Sequence, residues 1–174
     1  MFVVPNSFVS VRPFISDVEN NISQYIRNCP IQSGIPTLEG LHATIVCSKE
    51  TLFDFVPKPS VVYETKTCGC EQWYSPTLKK RKLVILLDAD SLKERREHIL
   101  TDYRVHDFHQ VYVPHIELCS DLPANNSDIR WWINEVANNF KKGGRYYGIN
   151  IRFAGEALSD TVLDTSDYHP LTVN

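Results

Sequence analysis

The chain lacks the long apolar run that a membrane-spanning helix requires, for no stretch of its 174 residues approaches the ~20 needed to cross a bilayer. It lacks a positive surplus as well. Eighteen Lys and Arg against 21 Asp and Glu leave a formal net charge of −3. That removes the usual argument for a long nucleic acid as partner, which needs a basic field to displace counterions from phosphates. A small anionic ligand held by a local site stays open. The five cysteines (Cys29, Cys47, Cys68, Cys70, Cys119) form no C-x2-C pair, so neither a disulfide framework nor a structural zinc site is expected. There is no G-x-G-x-x-G and no G-x-x-x-x-G-K-[ST], and no cofactor is expected. The opening MFVVPNSFVSVRPF has no basic n-region and is interrupted by Pro5 and Asn6, so it does not read as a signal peptide. The expectation is a soluble, cytoplasmic protein with no membrane partner.

What is present is ordinary globular material. A composition of 43% hydrophobic, 11% aromatic and 22% charged residues excludes a disordered, collagen-like or coiled-coil chain. Without repeats or a composition break, residues 1–174 read as a single domain, with residues 157–174 a candidate C-terminal lid or interface arm. β-Branched and aromatic runs predict strands over residues 7–14, 41–47, 61–74 (interrupted near Gly69), 82–87, 111–118 and 146–153. Helices are predicted from Ser16 with Glu19, from Ser91 with Glu94 and from Ser127, each serine read as a cap. The alternation of strands and helices is an α+β pattern.

Two strands carry polar pairs. In Leu41-His42-Ala43-Thr44-Ile45 the residues His42 and Thr44 lie two apart and share a face. In Pro114-His115-Ile116-Glu117-Leu118 the same holds for His115 and Glu117. A pair of imidazoles suits phosphodiester cleavage, one ring removing a proton from an attacking hydroxyl and the other donating to the departing oxygen. Thr44 could bond a non-bridging phosphate oxygen. Two other readings stand beside this one: structural histidines satisfied in the core or at its rim, and a zinc held by His42, His115 and a carboxylate.

LHATIVCS, a Trp-containing strand pair, KLVILLDAD, a helix and VYVPHIELCS together resemble the two-histidine phosphoesterase superfamily. The resemblance covers residues 40–120, with 7–14 and 146–153 as outer strands. Within the superfamily the chain is most similar to the phage anti-CBASS nucleases. This implies a two-lobed antiparallel-sheet fold with helices outside and a central cleft. It also implies degradation of cyclic di- or trinucleotide immune signals, without metal, by attack of a ribose 2′-hydroxyl on the adjacent phosphate. His42 and Thr44 inherit the roles of catalytic histidine and phosphate-binding hydroxyl. His115 matches the second motif, but Glu117 stands where the family has Thr or Ser. Either Glu117 orients and charges His115 as the general acid, or this copy is altered. An RNA-processing 2′,3′-cyclic phosphodiesterase and a non-cleaving nucleotide sponge are the alternatives, and a homodimer is left open.

Bases need π-faces and a few polar anchors. Trp73 and Tyr74 at a strand end, and Tyr146 and Tyr147 at the start of the last strand, can flank a cleft, with Trp73 preferred on size. Glu156 resembles a base-contacting acid of the anti-CBASS group, although a solvated carboxylate fits its position equally. Of Trp131 and Trp132, at least one belongs to the core face of its helix. The runs Lys79-Lys80-Arg81-Lys82 and Lys141, Lys142, Arg145 read as solvated, with a secondary role in screening a phosphate.

Overall fold

The β-branched runs form the strands of one antiparallel sheet in this computed structural model, which describes residues 7–123, 126–159 and 168–171. The strands are β1 (Ser7–Pro13), β2 (Ala43–Ser48), β3 (Tyr63–Ser75), β4 (Lys80–Asp88), β5 (His115–Cys119), β6 (Asn150–Ser159) and the short β7 (His169–Pro170). Their order is β2-β1-β6-β3-β4-β5, with β7 pairing on β3. The helices are α1 (Ile15–Val18), α2 (Ile22–Arg27), α3 (Asp90–Asp102) and α4 (Ser127–Phe140). The architecture is α+β, as the sequence pattern implies.

One face of the sheet is apolar and holds the helices. Val9, Val11, Ala43, Ile45, Leu83, Ile85, Ile116, Leu118, Ile151 and Phe153 join Ile22, Leu92, Ile99, Trp132 and Phe140 in a single buried cluster. The intervening strand residues are turned away from it, because successive side chains alternate across a strand. Trp132 shows how tightly the helical layer is held: it is 1% exposed and its indole N–H donates to the Tyr25 carbonyl at 3.0 Å. Its neighbour Trp131 is 64% exposed, so one tryptophan of the pair is core, as the helical spacing requires.

β3 joins the two halves of the sheet. Its first part pairs with β6 and its remainder with β4, and the register with β4 shifts between Thr67 and Gly69. Gly69 adopts φ 155°, a conformation that L side chains rarely take. The interruption expected near Gly69 is this bulge. β2 and β5 are the two ends of the hydrogen-bonded path, yet their Cα atoms approach within 8 Å. Segment 106–112 ties them together. Lys49 N–H donates to the His106 carbonyl at 2.9 Å, Phe108 N–H to the Cys47 carbonyl at 2.6 Å, and Tyr112 O–H to the Thr44 carbonyl at 2.8 Å.

Several local expectations are corrected. The helix expected from Ser16 is two short ones, and Asn21 caps the second by accepting from Ile22 N–H at 2.6 Å. Ser91 lies inside α3, whose N-cap position is Ala89, and its hydroxyl donates instead to the Glu64 carbonyl at 3.3 Å. Asn126, rather than Ser127, caps α4, accepting from Asp128 N–H at 2.9 Å. The strand expected at 111–118 begins only at His115, and that expected at 146–153 runs instead from Asn150 to Ser159. Of the tail 157–174, residues 157–159 finish β6 and β7 pairs with Trp73 and Tyr74 of β3. Residues 160–167 and 172–174 lie outside the described residues.

Candidate functional site

β2 and the residue before it present His42 and Thr44 as half-buried positions between the buried Leu41, Ala43 and Ile45. β5 presents His115 and Glu117 in the same way between Pro114, Ile116 and Leu118. Each polar pair shares a face pointing away from the common core, as expected from the two-residue period. Because β2 and β5 approach one another, the four residues belong to neighbouring strands. On the β2 side the polar face continues through Ser10, whose register partner is Thr44, and through the exposed Arg12.

Each imidazole is fixed by a backbone carbonyl. His42 Nδ1 lies 3.1 Å from the Gly40 oxygen, and His115 Nδ1 lies 2.8 Å from the Val113 oxygen. A carbonyl oxygen only accepts, so Nδ1 carries the proton in both rings and Nε2 is left as the position that gains or loses one. The ring of His42 also meets Phe8 edge-on, with centroids 5.8 Å apart.

His115 has closer neighbours. Trp73 meets its ring at 4.5 Å in an edge contact, and the indole N–H donates to Glu71 Oε2 at 2.7 Å. Lys82 Nζ sits 3.2 Å from Glu117 Oε2, 5.4 Å from the Trp73 ring centroid and 4.0 Å from that of Tyr168. Desolvation within this packing pushes the His115 pKa down to about 4. The Val113 carbonyl and the Glu117 charge oppose the shift, while Lys82 and His109 add to it. At neutral pH the His115 ring is therefore uncharged and its Nε2 carries a lone pair.

This differs from the expectation that Glu117 orients and charges His115. The orienting partner is the Val113 carbonyl, the Glu117 carboxylate is bonded to Lys82, and burial outweighs its charge. Sequence reading placed Lys82 in a solvated basic run. Lys79 and Lys80 are exposed, but the Lys82 side chain is only 12% exposed. A lysine sharing one strand face with apolar Val84 and Leu86 was the available signal.

Of the residues expected to hold bases, Trp73 lies against His115. It is 9% exposed, so its indole supports His115 more than it offers a free face. Tyr74 points to the opposite side of β3 from Trp73, beside Arg81 and His169 in the register. Tyr147 stands on the turn before β6 and is 40% exposed.

Glu156 is not the solvated carboxylate that its position also allowed. It is 2% exposed and its carboxylate is consumed by the protein. Arg95 donates to both oxygens at 2.7 and 2.9 Å, Lys58 N–H to Oε2 at 2.8 Å and Tyr63 O–H to Oε1 at 3.4 Å. The Arg95 guanidinium is correspondingly held above its ordinary pKa, chiefly by its hydrogen bonds to Glu156. The cause is a bulge. Gly155 has φ 68°, the β1–β6 register slips between Ser10 and Arg12, and the extra residue turns the next side chain to the α3 side. Arg95 was the missed signal, standing between Leu92 and Ile99 on the apolar stripe of α3.

No helix among the described residues is long and apolar enough to cross a membrane. No curated protein matches the chain in sequence. The family model for anti-CBASS protein Acb1 matches residues 7–138, a span from β1 into α4 that contains both histidine strands and far exceeds half the chain. By that match the chain belongs to the Acb1 anti-CBASS family.

Proposed function

We propose that the protein is a metal-independent phosphodiesterase of the two-histidine type that degrades cyclic di- or trinucleotide immune signals, acting for a phage in the cytoplasm of its bacterial host. One observation carries this reading: two imidazoles on approaching strands, each with Nδ1 tied to a carbonyl and Nε2 left for chemistry. Membership of an anti-CBASS family supports the biological setting. The bulge at Gly69 and the approach of β2 to β5 support the two-lobed form of the superfamily.

The low His115 pKa favours the role of general base in the first step. Its Nε2 takes the proton of a ribose 2′-hydroxyl. The O2′–P bond forms as the P–O5′ bond breaks, and His42, as general acid, gives its Nε2 proton to O5′. The product end is a 2′,3′-cyclic phosphate. Hydrolysis of that ring reverses the roles, His42 activating water and His115 returning a proton to O2′. The Thr44 hydroxyl, on the face of His42, would bond a non-bridging oxygen as charge develops there.

The test is product analysis. Purified protein incubated with a panel of 3′,5′-linked cyclic dinucleotides and trinucleotides is expected to yield linear products ending in cyclic phosphate or phosphate, in buffer with chelator. Cleavage of linear RNA ends alone would transfer the reading to RNA processing. A non-cleaving sponge is the second reading, favoured by Glu117 in place of a hydroxyl. Bound but intact ligand would establish it.

A further inference from the structure

We propose that Lys82 is the phosphate-gripping cation of this site, with Glu117 holding the ammonium in place until ligand arrives. The inference rests on the phosphodiesterase reading above and names one of its ligand contacts.

Glu117 alone would be a poor neighbour for a phosphodiester, since two like charges repel strongly in a partly desolvated site. In the structure it is not alone. The β4–β5 register sets Val84 against Glu117, and Lys82, two residues earlier on β4, reaches the carboxylate at 3.2 Å. The pair is neutral overall. The lysine ammonium lies over two rings, Trp73 and Tyr168, with Nζ at 5.4 and 4.0 Å from their centroids. That packing leaves Nζ little freedom to lose on binding, and it stands at the residue that packs against His115. An ammonium has three donors, and among the described residues Glu117 is its one hydrogen-bonding partner. A phosphate oxygen can therefore be added without the carboxylate being released. Lys82 is distinguished from the rest of its basic run by burial: Lys79 and Lys80 are exposed, whereas its own side chain is 12% exposed.

The two members of the pair then act on the ligand with opposite sign. Lys82 attracts the phosphate, and Glu117 competes with it for Lys82. A merely structural ion pair would behave otherwise, since removing either member would harm the same packing.

The experiment uses the full chain and two probes: the 3′,5′-linked cyclic diadenylate, and its 2′-deoxy counterpart, which has no nucleophile and reports binding alone. Lys82→Met is expected to weaken binding of the deoxy probe about tenfold and to raise KM for the ribose probe with less change in kcat. Lys82→Arg should restore most of the affinity, and Glu117→Gln should tighten binding of the deoxy probe. Melting temperatures of all variants accompany the titrations, and Lys82→Arg carries the test should Lys82→Met fold poorly. Unchanged affinity in Lys82→Met, or weakened binding in both Lys82→Met and Glu117→Gln, overturns the proposal while leaving cleavage by the wild-type chain intact. A wild-type chain that neither binds nor cleaves any member of the cyclic di- and trinucleotide panel overturns the phosphodiesterase reading and this proposal with it.

Discussion

His42 and His115 hold the same bond in duplicate: each turns Nδ1 onto the carbonyl two residues before it, Gly40 in one case and Val113 in the other. The repetition matters because a ring fixed by its own backbone presents Nε2 at a defined height above its strand. In the proposed reaction two such rings on approaching strands would exchange the roles of acid and base between successive steps.

Replacing either ring should remove the chemistry and leave the fold. His42→Ala and His115→Ala are each expected to lower kcat by about 10²–10⁴-fold, with melting temperatures near that of the parent. Activity retained in both would refute the assignment of the site.

The depressed pKa of His115 has a signed consequence for stability. In the unfolded chain the ring takes a proton near pH 6.5, but in the folded protein only near about 4. The unfolded state therefore binds more protons between these values, and stability falls as pH drops through that window. Above it both states are neutral and the contribution vanishes. Denaturant midpoints followed from pH 7.5 to 4 should decline less steeply in His115→Gln than in the parent, and parallel curves would contradict the shift.

Glu156 should prove a stability residue. With Arg95 it forms a buried bidentate pair whose side chains are 8% and 0% exposed. Removing one partner strands the other charge, at a cost of about 3–5 kcal/mol. Arg95→Met and Glu156→Gln are expected to lower the denaturant midpoint sharply while base preference in a cyclic-dinucleotide panel stays that of the parent. A changed base preference in a folded Glu156→Gln protein would return the residue to the binding site.

The adjacent tryptophans of α4 give an internal control. Trp132→Ala empties a buried site and loses the bond to Tyr25, costing roughly 3–5 kcal/mol. Trp131→Ala, at an exposed position, should change stability by less than about 0.5 kcal/mol. Urea unfolding of the two variants checks the contrast.

The polar faces of β2 and β5 were legible because side-chain alternation has a period of two across His42–Thr44 and His115–Glu117, and the register shifts of these strands come only after those residues, at Ile45 and Leu118. So was the division of labour between Trp131 and Trp132, which helical spacing decides. Glu156 was not, because a bulge at Gly155 shifts the phase of β6 and no local composition announces the shift. The partnership of Lys82 with Glu117 depends on the register between β4 and β5, a long-range property. The helix starts were misplaced for a smaller reason: Asn21 and Asn126 cap as well as serine does, and the side-chain bond chooses between neighbours.

The join between β2 and β5 has a mechanical meaning. The sheet is a ribbon whose ends meet without a ladder, held by segment 106–112 through contacts such as Lys49 to His106, Phe108 to Cys47 and Tyr112 to Thr44. Each end carries one histidine. A ligand touching both imidazoles becomes the cross-link that the backbone omits there, so occupancy of the site should appear as slower amide hydrogen exchange at Lys49 and Phe108, far along the chain from one another but closing the same seam.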